Sequence, residues 1–341
     1  MKKARQPGRQ ALTLMASAGL LLALFAILAV PFGDRVRTLL SFRKVDDYPL
    51  YVMRLYGDYG LDRFLQEGVE ANASSLPRLQ KLDPQWACSV FAALNGDGDL
   101  WLGRNFDWYN RPALVLFTHP SHGYDSVSLV DISYLGFDAG EPSWSDRLRL
   151  QDAAYWPFDG MNEHGLAVGM MAVPHAEDRA DPQQATISSL HAMRLILDKA
   201  RTVDEALALL QEYHVDFGDG PPLHYLIADA AERSAIVEFI RGEMVVLRSK
   251  EPWQVATNFL VSGHSTESAR SQCRRYARVH GTLQQARGLL SQADAMALLQ
   301  DVSQPITMWS VVYGLTSGEV TVAVGRDYDQ VHRFKLQMQN R

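Results

Sequence analysis

Two short strand-like runs, CSVFAAL from Cys88 and DLWLGR from Asp99, are joined by NGDG, and this join constrains the chain more than any other feature. Gly in a tight turn tolerates the positive φ of type I′ and II′ turns, so the two runs read as a β-hairpin. Further strand candidates follow in VSLVDISYLGF, in MNEHGLAVGMMAV with Gly165 near its turn, and in LHYLIADA, SAIVEFI, EMVVLR and WQVAT. The last is MWSVVYGLTSGEVTVAVG, a hairpin turning near Ser317 and Gly318. Between them, ISSLHAMRLILDKA and TVDEALALLQEY carry helical apolar spacing, the second with Thr202 and Glu205 in capping-box positions. One more helix is expected from about Ser291 to Val302. Strands, two helices, strands, helix, strands is the order of an α+β fold with antiparallel sheets and segregated helices, not of a doubly wound βαβ fold.

The amino end is of another kind. MKKARQPGRQ carries Lys2, Lys3, Arg5 and Arg9, and residues 11–33 hold no charge, enough apolar helix to cross a bilayer. A signal peptide is the competing reading, but its apolar region would run only roughly 7 to 15 residues, and AILAVPFGDR offers no clean cleavage site. The sequence therefore predicts a basic cytoplasmic tail over 1–10 and a transmembrane signal anchor over 11–33. The chain would cross the cell membrane once with its body outside the cytoplasm. Arg35 and Arg37 stand against that orientation, and cleavage would make the protein secreted or periplasmic instead. Residues 34–87 suit short helices around Tyr51 to Leu65 and then a polar loop at Asn72, Ser74 and Ser75, too little apolar pattern for a domain of their own. Asn72-Ala73-Ser74 also fits a glycosylation sequon.

With a net charge of −6 and no basic stripe interleaved with aromatics, a nucleic-acid partner has no support; small or lipid-like substrates fit better. No Walker A or GxGxxG pattern is present, His119 and His122 lack companion metal ligands, and Ser265 beside His264 lacks the second Gly of a nucleophile elbow. Neither a cofactor nor a metal is expected.

The chain's two cysteines, Cys88 and Cys273, could form one disulfide in an exported protein. The hairpin offers a different reading. With Gly96 and Asp97 as a two-residue loop, Cys88 lies opposite Asn105; sliding the loop one position moves the partner to Gly103 or Asp107. Either way GRNFD lands beside the thiol. A guanidinium there favours the thiolate, which is the nucleophile. None of the ten His falls in the hairpin. A cysteine at a chain terminus carries its own base, since an α-amine titrates near about 7.7 to 8.0.

CSVFAALNGDGDLWLGRNFDW resembles the opening of the choloylglycine hydrolase family of N-terminal-nucleophile hydrolases, which includes bile-salt hydrolases, penicillin V acylases, acid ceramidases and N-acylethanolamine acid amidases. DGMNEHGLAV, LHYLIAD, SAIVEF, VATN and MWSVVYGL follow in the family's order. The resemblance implies a four-layer αββα sandwich over residues 88–341. It makes Cys88 the nucleophile with its freed α-amine as base, Arg104 the support of the thiolate and Asp107 the holder of the amine. Asn258 would give its side-chain amide, and Ala172 its backbone N–H, to the oxyanion; bile-salt hydrolases carry Asn where this chain has Ala172. The family's later active-site arginine corresponds to Arg275, with Arg274 adjacent. Acid ceramidases expose their cysteine by self-cleavage and keep the upstream piece, so a cut between Ala87 and Cys88 is expected, with 34–87 as pro-segment or upstream subunit. The implied activity is hydrolysis of a non-peptide linear amide through an acyl-cysteine. Candidate substrates are small N-acyl amides: fatty-acyl amines or amino acids, acyl homoserine lactones, penicillin V or conjugated bile acids. Acyl transfer to an amine is the rival enzyme reading. A membrane-tethered binding protein with a Cys88–Cys273 disulfide is the non-catalytic one.

Overall fold

The structure, a computed structural model, describes residues 33–72, 87–95, 99–108, 112–137, 141–177, 184–218 and 220–339. A helix, α1, covers residues 33–41. It is followed by strands β1 (Arg43–Asp46) and β2 (Leu50–Tyr56), helix α2 (Leu61–Asn72), then β3 (Ser89–Ala93), β4 (Trp101–Asp107), β5 (Ala113–His119) and β6 (Ser126–Asp131). Helix α3 (Trp144–Arg149) precedes β7 (Asp159–Asn162), β8 (Ala167–Ala172) and β9 (Ala185–Ser188); α4 (Ser189–Lys199) and α5 (Val203–Glu212) follow. Strands β10 (Tyr213–Asp216), β11 (Leu223–Ala228), β12 (Ser234–Ile240), β13 (Glu243–Arg248) and β14 (Trp253–Ala256) lead to α6 (Thr266–Gln272), α7 (Arg274–Ala286) and α8 (Gln292–Asp301). The chain closes on β15 (Thr307–Gly314), β16 (Glu319–Val324) and β17 (His332–Lys335).

A nine-stranded sheet runs β1-β2-β5-β6-β7-β8-β11-β12-β13, and a six-stranded sheet runs β14-β3-β4-β15-β16-β17. Both are antiparallel except for the β2–β5 pair; β9 and β10 form a separate parallel pair. The sheets face each other through β3 and β4 against β8 and β11, α4 covers the outside of β7 and β8, and α7 and α8 cover β14, β3, β4 and β15. This is the expected α–β–β–α order. Strands covered on both faces read as near-continuous apolar runs, and every residue of β4, β8, β11 and β15 is buried. The edge strand β13 is at most half-buried. Ser188, Thr202, Ser265 and Ser291 cap α4, α5, α6 and α8 with their hydroxyls. Only the Ser291 cap of these closes a full box; Glu205 takes the N–H of Arg201 in place of that of Thr202. The turn between β7 and β8 needs glycine: Gly165 has φ +76°, and a Cβ there would lie 2.0 Å from the Leu315 carbonyl oxygen.

Three expectations change. The β3–β4 register pairs Ser89 with Asn105 and Val90 with Arg104, which sets Cys88 opposite Phe106, one residue from either neighbouring expectation. Such a register requires a connection with an odd number of residues. The two strands part at Ala93 and Trp101 because Leu94 and Asn95 give their N–H groups outside the hairpin, to the Pro252 and Gly288 carbonyls. The turn tip, 96–98, lies outside the described residues. The second change is that LYVMRLY is a strand, β2, and helix begins only at Leu61. The third is that Asn72 ends α2 and is not in a loop.

Upstream residues are thereby built into the body of the fold. β2 pairs with β5 over seven residues, Leu50 to Tyr56. Tyr59 hydrogen-bonds Asp198, Tyr155 donates to the Tyr59 carbonyl, and Phe64 stacks on His191 with centroids 4.0 Å apart. Among the described residues no helix is long and apolar enough to cross a membrane, and the expected span over 11–33 lies outside them apart from its last residue.

Candidate active site

Cys88 stands just before β3, buried between the sheets, with its sulfur next to Arg104. Arg104 sits mid-strand opposite Val311 of β15, which puts Trp309 and Tyr313 two residues to either side on the same face. Both reach Asp159 at the head of β7: Trp309 Nε1 donates to Oδ2 at 3.0 Å and Tyr313 OH to Oδ1 at 2.5 Å. Arg104 Nη1 meets the same carboxylate at 2.7 Å and also the Phe158 carbonyl. This ion pair is wholly buried, where further hydrogen bonds are needed to support it; Trp309 and Tyr313 supply them to the carboxylate, while Arg104 Nε and Nη2 have no hydrogen-bond partner among the described residues. Burial pushes the Cys88 thiol above its ordinary value, while the Arg104 charge and the Asp107 backbone N–H pull against that rise. The thiol therefore needs a base.

Asp107, at the end of β4, accepts the Thr307 hydroxyl on Oδ1, and its Oδ2 has no hydrogen-bond partner among the described residues; Arg275 Nη1 is 3.8 Å away. Burial raises its carboxyl from 3.8 to about 7 against the pull of Thr307, Arg275 and Arg104. A folded chain with a raised carboxyl keeps a proton that the unfolded chain has already lost, so this group makes stability fall as pH rises from about 4 to about 7. In uncut protein the fall is expected to be on the order of a few kcal/mol, and Asp107→Asn should flatten it. Urea titrations at pH 4 and pH 8 measure this, and an unchanged slope in the variant would refute it.

Asn258 lies two residues beyond β14. Its Oδ1 accepts the Cys88 backbone N–H at 2.5 Å and Arg275 Nη2 at 3.0 Å, while its Nδ2 donates to the Ala172 carbonyl at 2.8 Å. Arg275, near the start of α7, also donates from Nη1 to the Cys88 carbonyl and to Ser89 Oγ, the latter at 2.8 Å. Arg274 is exposed, so of the two arginines it is Arg275 that joins the cluster. The Val173 N–H bonds the Pro222 carbonyl, so by antiparallel alternation the Ala172 N–H and C=O turn away from β11, towards Asn258.

All the residues singled out from sequence thus converge on Cys88. The disulfide does not form: Cys88 and Cys273 are both free thiols, and Cys273 instead begins α7. His119 bonds Asp125 and His264 bonds Ser268, away from this cluster, and among the described residues no group of His, Cys, Asp and Glu could hold a metal. The sequence reading missed Asp159, Trp309, Tyr313 and Thr307. Their signal was polar or hydrogen-bonding groups within otherwise apolar strand runs, two of them in MWSVVYGL. Above Cys88 opens a small pocket lined by Phe106, Trp108, Tyr134, Phe158, Met170 and Leu223, with Arg104 and Ala172 at the thiol end. The arrangement offers a nucleophile, amide and guanidinium donors around it, and an apolar, aromatic receptacle.

Residues 157–339 match the family described as acyl-coenzyme A:6-aminopenicillanic acid acyl-transferase. A stretch of 111 residues is 32% identical to penicillin V acylase of Pectobacterium atrosepticum, covering 29% of this chain and 29% of that protein. Another of 121 residues is 29% identical to an uncharacterized protein of Paramecium bursaria Chlorella virus 1, covering 33% of this chain and 43% of that one. The chain thus spans less than half the length of either curated relative. Two structures of conjugated bile acid hydrolase from Clostridium perfringens superpose with TM-scores of 0.54 and 0.55 at 15% and 14% identity, over 74% of this chain and 93% and 94% of theirs. They share the sandwich of antiparallel sheets. With the family match spanning more than half of its residues, the chain belongs to the acyl-coenzyme A:6-aminopenicillanic acid acyl-transferase family.

Proposed function

We propose that this chain hydrolyses N-acyl amides with apolar acyl groups through an acyl-cysteine, after the Ala87–Cys88 bond is cut. The observation that carries the reading is the set of partners around the Cys88 nitrogen. Asn258 Oδ1 already accepts its one N–H, and the Oδ2 of buried Asp107 has no partner. Cutting the bond gives that nitrogen a second hydrogen and, once it takes the thiol proton, a charge, for which Asp107 is the matching acceptor. The freed amine takes the thiol proton, and Sγ adds to the amide carbonyl. Arg104 favours the thiolate, and the Asn258 amide, released from Ala172, donates to the oxyanion together with the Ala172 N–H. Collapse expels the amine, which leaves with the proton held by the α-amine. Water, deprotonated by the same α-amine, then adds to the thioester, and the acid departs as Sγ is restored. The aromatic pocket supports apolar acyl chains over charged ones.

The apolar run over 11–33 supports placing this body at a membrane surface outside the cytoplasm, with residues 34–87 retained as an upstream subunit. Acyl transfer is the second reading, favoured by the family's description. N-terminal sequencing and intact mass should find a chain starting at Cys88, and a panel of N-acyl amides, with and without an added amine acceptor, should separate hydrolysis from transfer. An uncut chain that turns over no amide would overturn the reading.

A further inference from the structure

Two fully buried titratable residues lie outside the cluster on Cys88 yet reach the chain on either side of Asn258. His224 on β11 and Glu238 on β12 stand opposite each other when the Tyr225–Val237 register is extended by one pair, and neither side chain has any solvent exposure. His224 Nδ1 is 3.3 Å from Glu238 Oε1, and His224 Nε2 is 2.7 Å from the Thr257 carbonyl. Glu238 spreads its carboxylate over the next turn of chain, with Oε1 accepting the Val261 N–H at 2.5 Å and Oε2 the Ser262 N–H at 3.0 Å. Burial alone would raise the Glu238 carboxyl, but the His224, Ser262 and Val261 hydrogen bonds outweigh it and hold it below its ordinary value.

A buried carboxylate and imidazole are costly unless every polar atom is used. Here all four polar atoms of the pair are engaged, and two of them on backbone groups of one irregular segment, 261–262. A third engages Thr257, the residue directly before Asn258. The segment is therefore gripped on both sides of Asn258, from the opposite sheet. Three of the stretches noted in sequence, LHYLIAD, SAIVEF and VATN, meet at this one point.

We propose that His224 and Glu238 form a buried clamp that positions the Asn258 side chain over Cys88, making them positioning residues for the oxyanion donor. The proposal rests on the role given above to Asn258. The Thr257 carbonyl can only accept, so His224 Nε2 carries a proton, and the working contact is this N–H. Freed of it, Thr257 and Asn258 keep, among the described residues, one side-chain hydrogen bond to the nine-stranded sheet, the Nδ2 contact with the Ala172 carbonyl that substrate must displace.

A pair of substitutions separates the clamp from mere packing. Gln places its amide nitrogen where His has Nε2 and keeps the Thr257 contact; Asn places it where His has Nδ1 and loses that contact. His224→Asn is expected to lower kcat about ten- to a hundredfold with KM within about twofold, and His224→Gln to recover most of it. Alkylation of Cys88 by iodoacetamide should be unchanged in both, because Arg104 lies in the other sheet. Equal losses in the two variants, a loss confined to KM, or alkylation falling in step with turnover would overturn the clamp. Hydrogen exchange on the unmutated protein gives a reading that needs neither variants nor substrate. Val261 and Ser262 should be protected as strongly as strand amides, although they lie in no strand, and rapid exchange there would refute the proposal. If the unmutated protein turns over no amide, the proposed function fails by itself, and exchange still decides the clamp.

Discussion

Cys88→Ala is expected to give a single uncut chain with no amide turnover, a loss of at least about 10⁴-fold in kcat/KM. The size of the effect follows from the geometry. The described residues around Cys88 supply two guanidinium groups, a carboxylate, a side-chain amide and the Ser89 hydroxyl held by Arg275, but the pocket lining holds no second thiol and no imidazole. Removing the sulfur therefore removes both the self-cleavage step and the acyl carrier. The fold should survive, because Arg104 keeps Asp159 as its partner and Asn258 still accepts the backbone N–H of residue 88. Far-ultraviolet circular dichroism should match that of unmutated protein, and intact mass reads the cut. A Cys88→Ala chain that is still cut before residue 88 would show that another protease makes the cut, and residual turnover would show that the sulfur is not the acyl carrier.

Arg104→Leu is expected to have the largest effect on stability, about 3 to 5 kcal/mol, because it leaves the Asp159 carboxylate buried without its cation. Trp309 and Tyr313 still donate to that carboxylate, but neither neutralises it. A buried pair replaced as a unit costs far less than a pair broken. The double variant Arg104→Leu/Asp159→Leu should therefore regain much of the lost stability. It should not regain Cys88 reactivity: with the guanidinium gone, only the Asp107 backbone N–H opposes the effect of burial on the thiol, and alkylation should slow by tenfold or more in both the single and the double variant. Urea denaturation reads the first quantity and iodoacetamide kinetics the second. Recovery of thiol reactivity in the double variant would remove Arg104 from its assigned role.

Much of this site was legible in the chain because its parts lie close in sequence or in recognisable stretches. A turn between two alternating runs is a local matter of Gly and Asp, so the hairpin that carries Arg104 and Asp107 back to Cys88 could be read directly. Its register could not, since Leu94 and Asn95 leave the ladder for carbonyls of Pro252 and Gly288, far along the chain. Asp159 was hidden for the same reason. A lone Asp before Gly reads as a turn former, and only the facing sheet reveals Arg104 as its partner. Helices α6 and α7 escaped because their buried residues are few, Ala269 in one and Tyr276, Val279 and Leu283 in the other, set among arginines and a glycine. LYVMRLY was read as helix because a strand buried on both faces carries no clean alternation.

That strand bears on what the proposed cut would leave behind. β2 lies inside the nine-stranded sheet, with β5 on one side and β1 on the other. A chain synthesised from Cys88 onward would present the whole flank of β5, Ala113 to His119, as an open edge of apolar residues, the kind of surface on which sheets of different molecules join. The segment ahead of Cys88 thus covers that edge through the β2–β5 ladder. If the proposed cut is made, that ladder of backbone hydrogen bonds becomes the link between the two pieces.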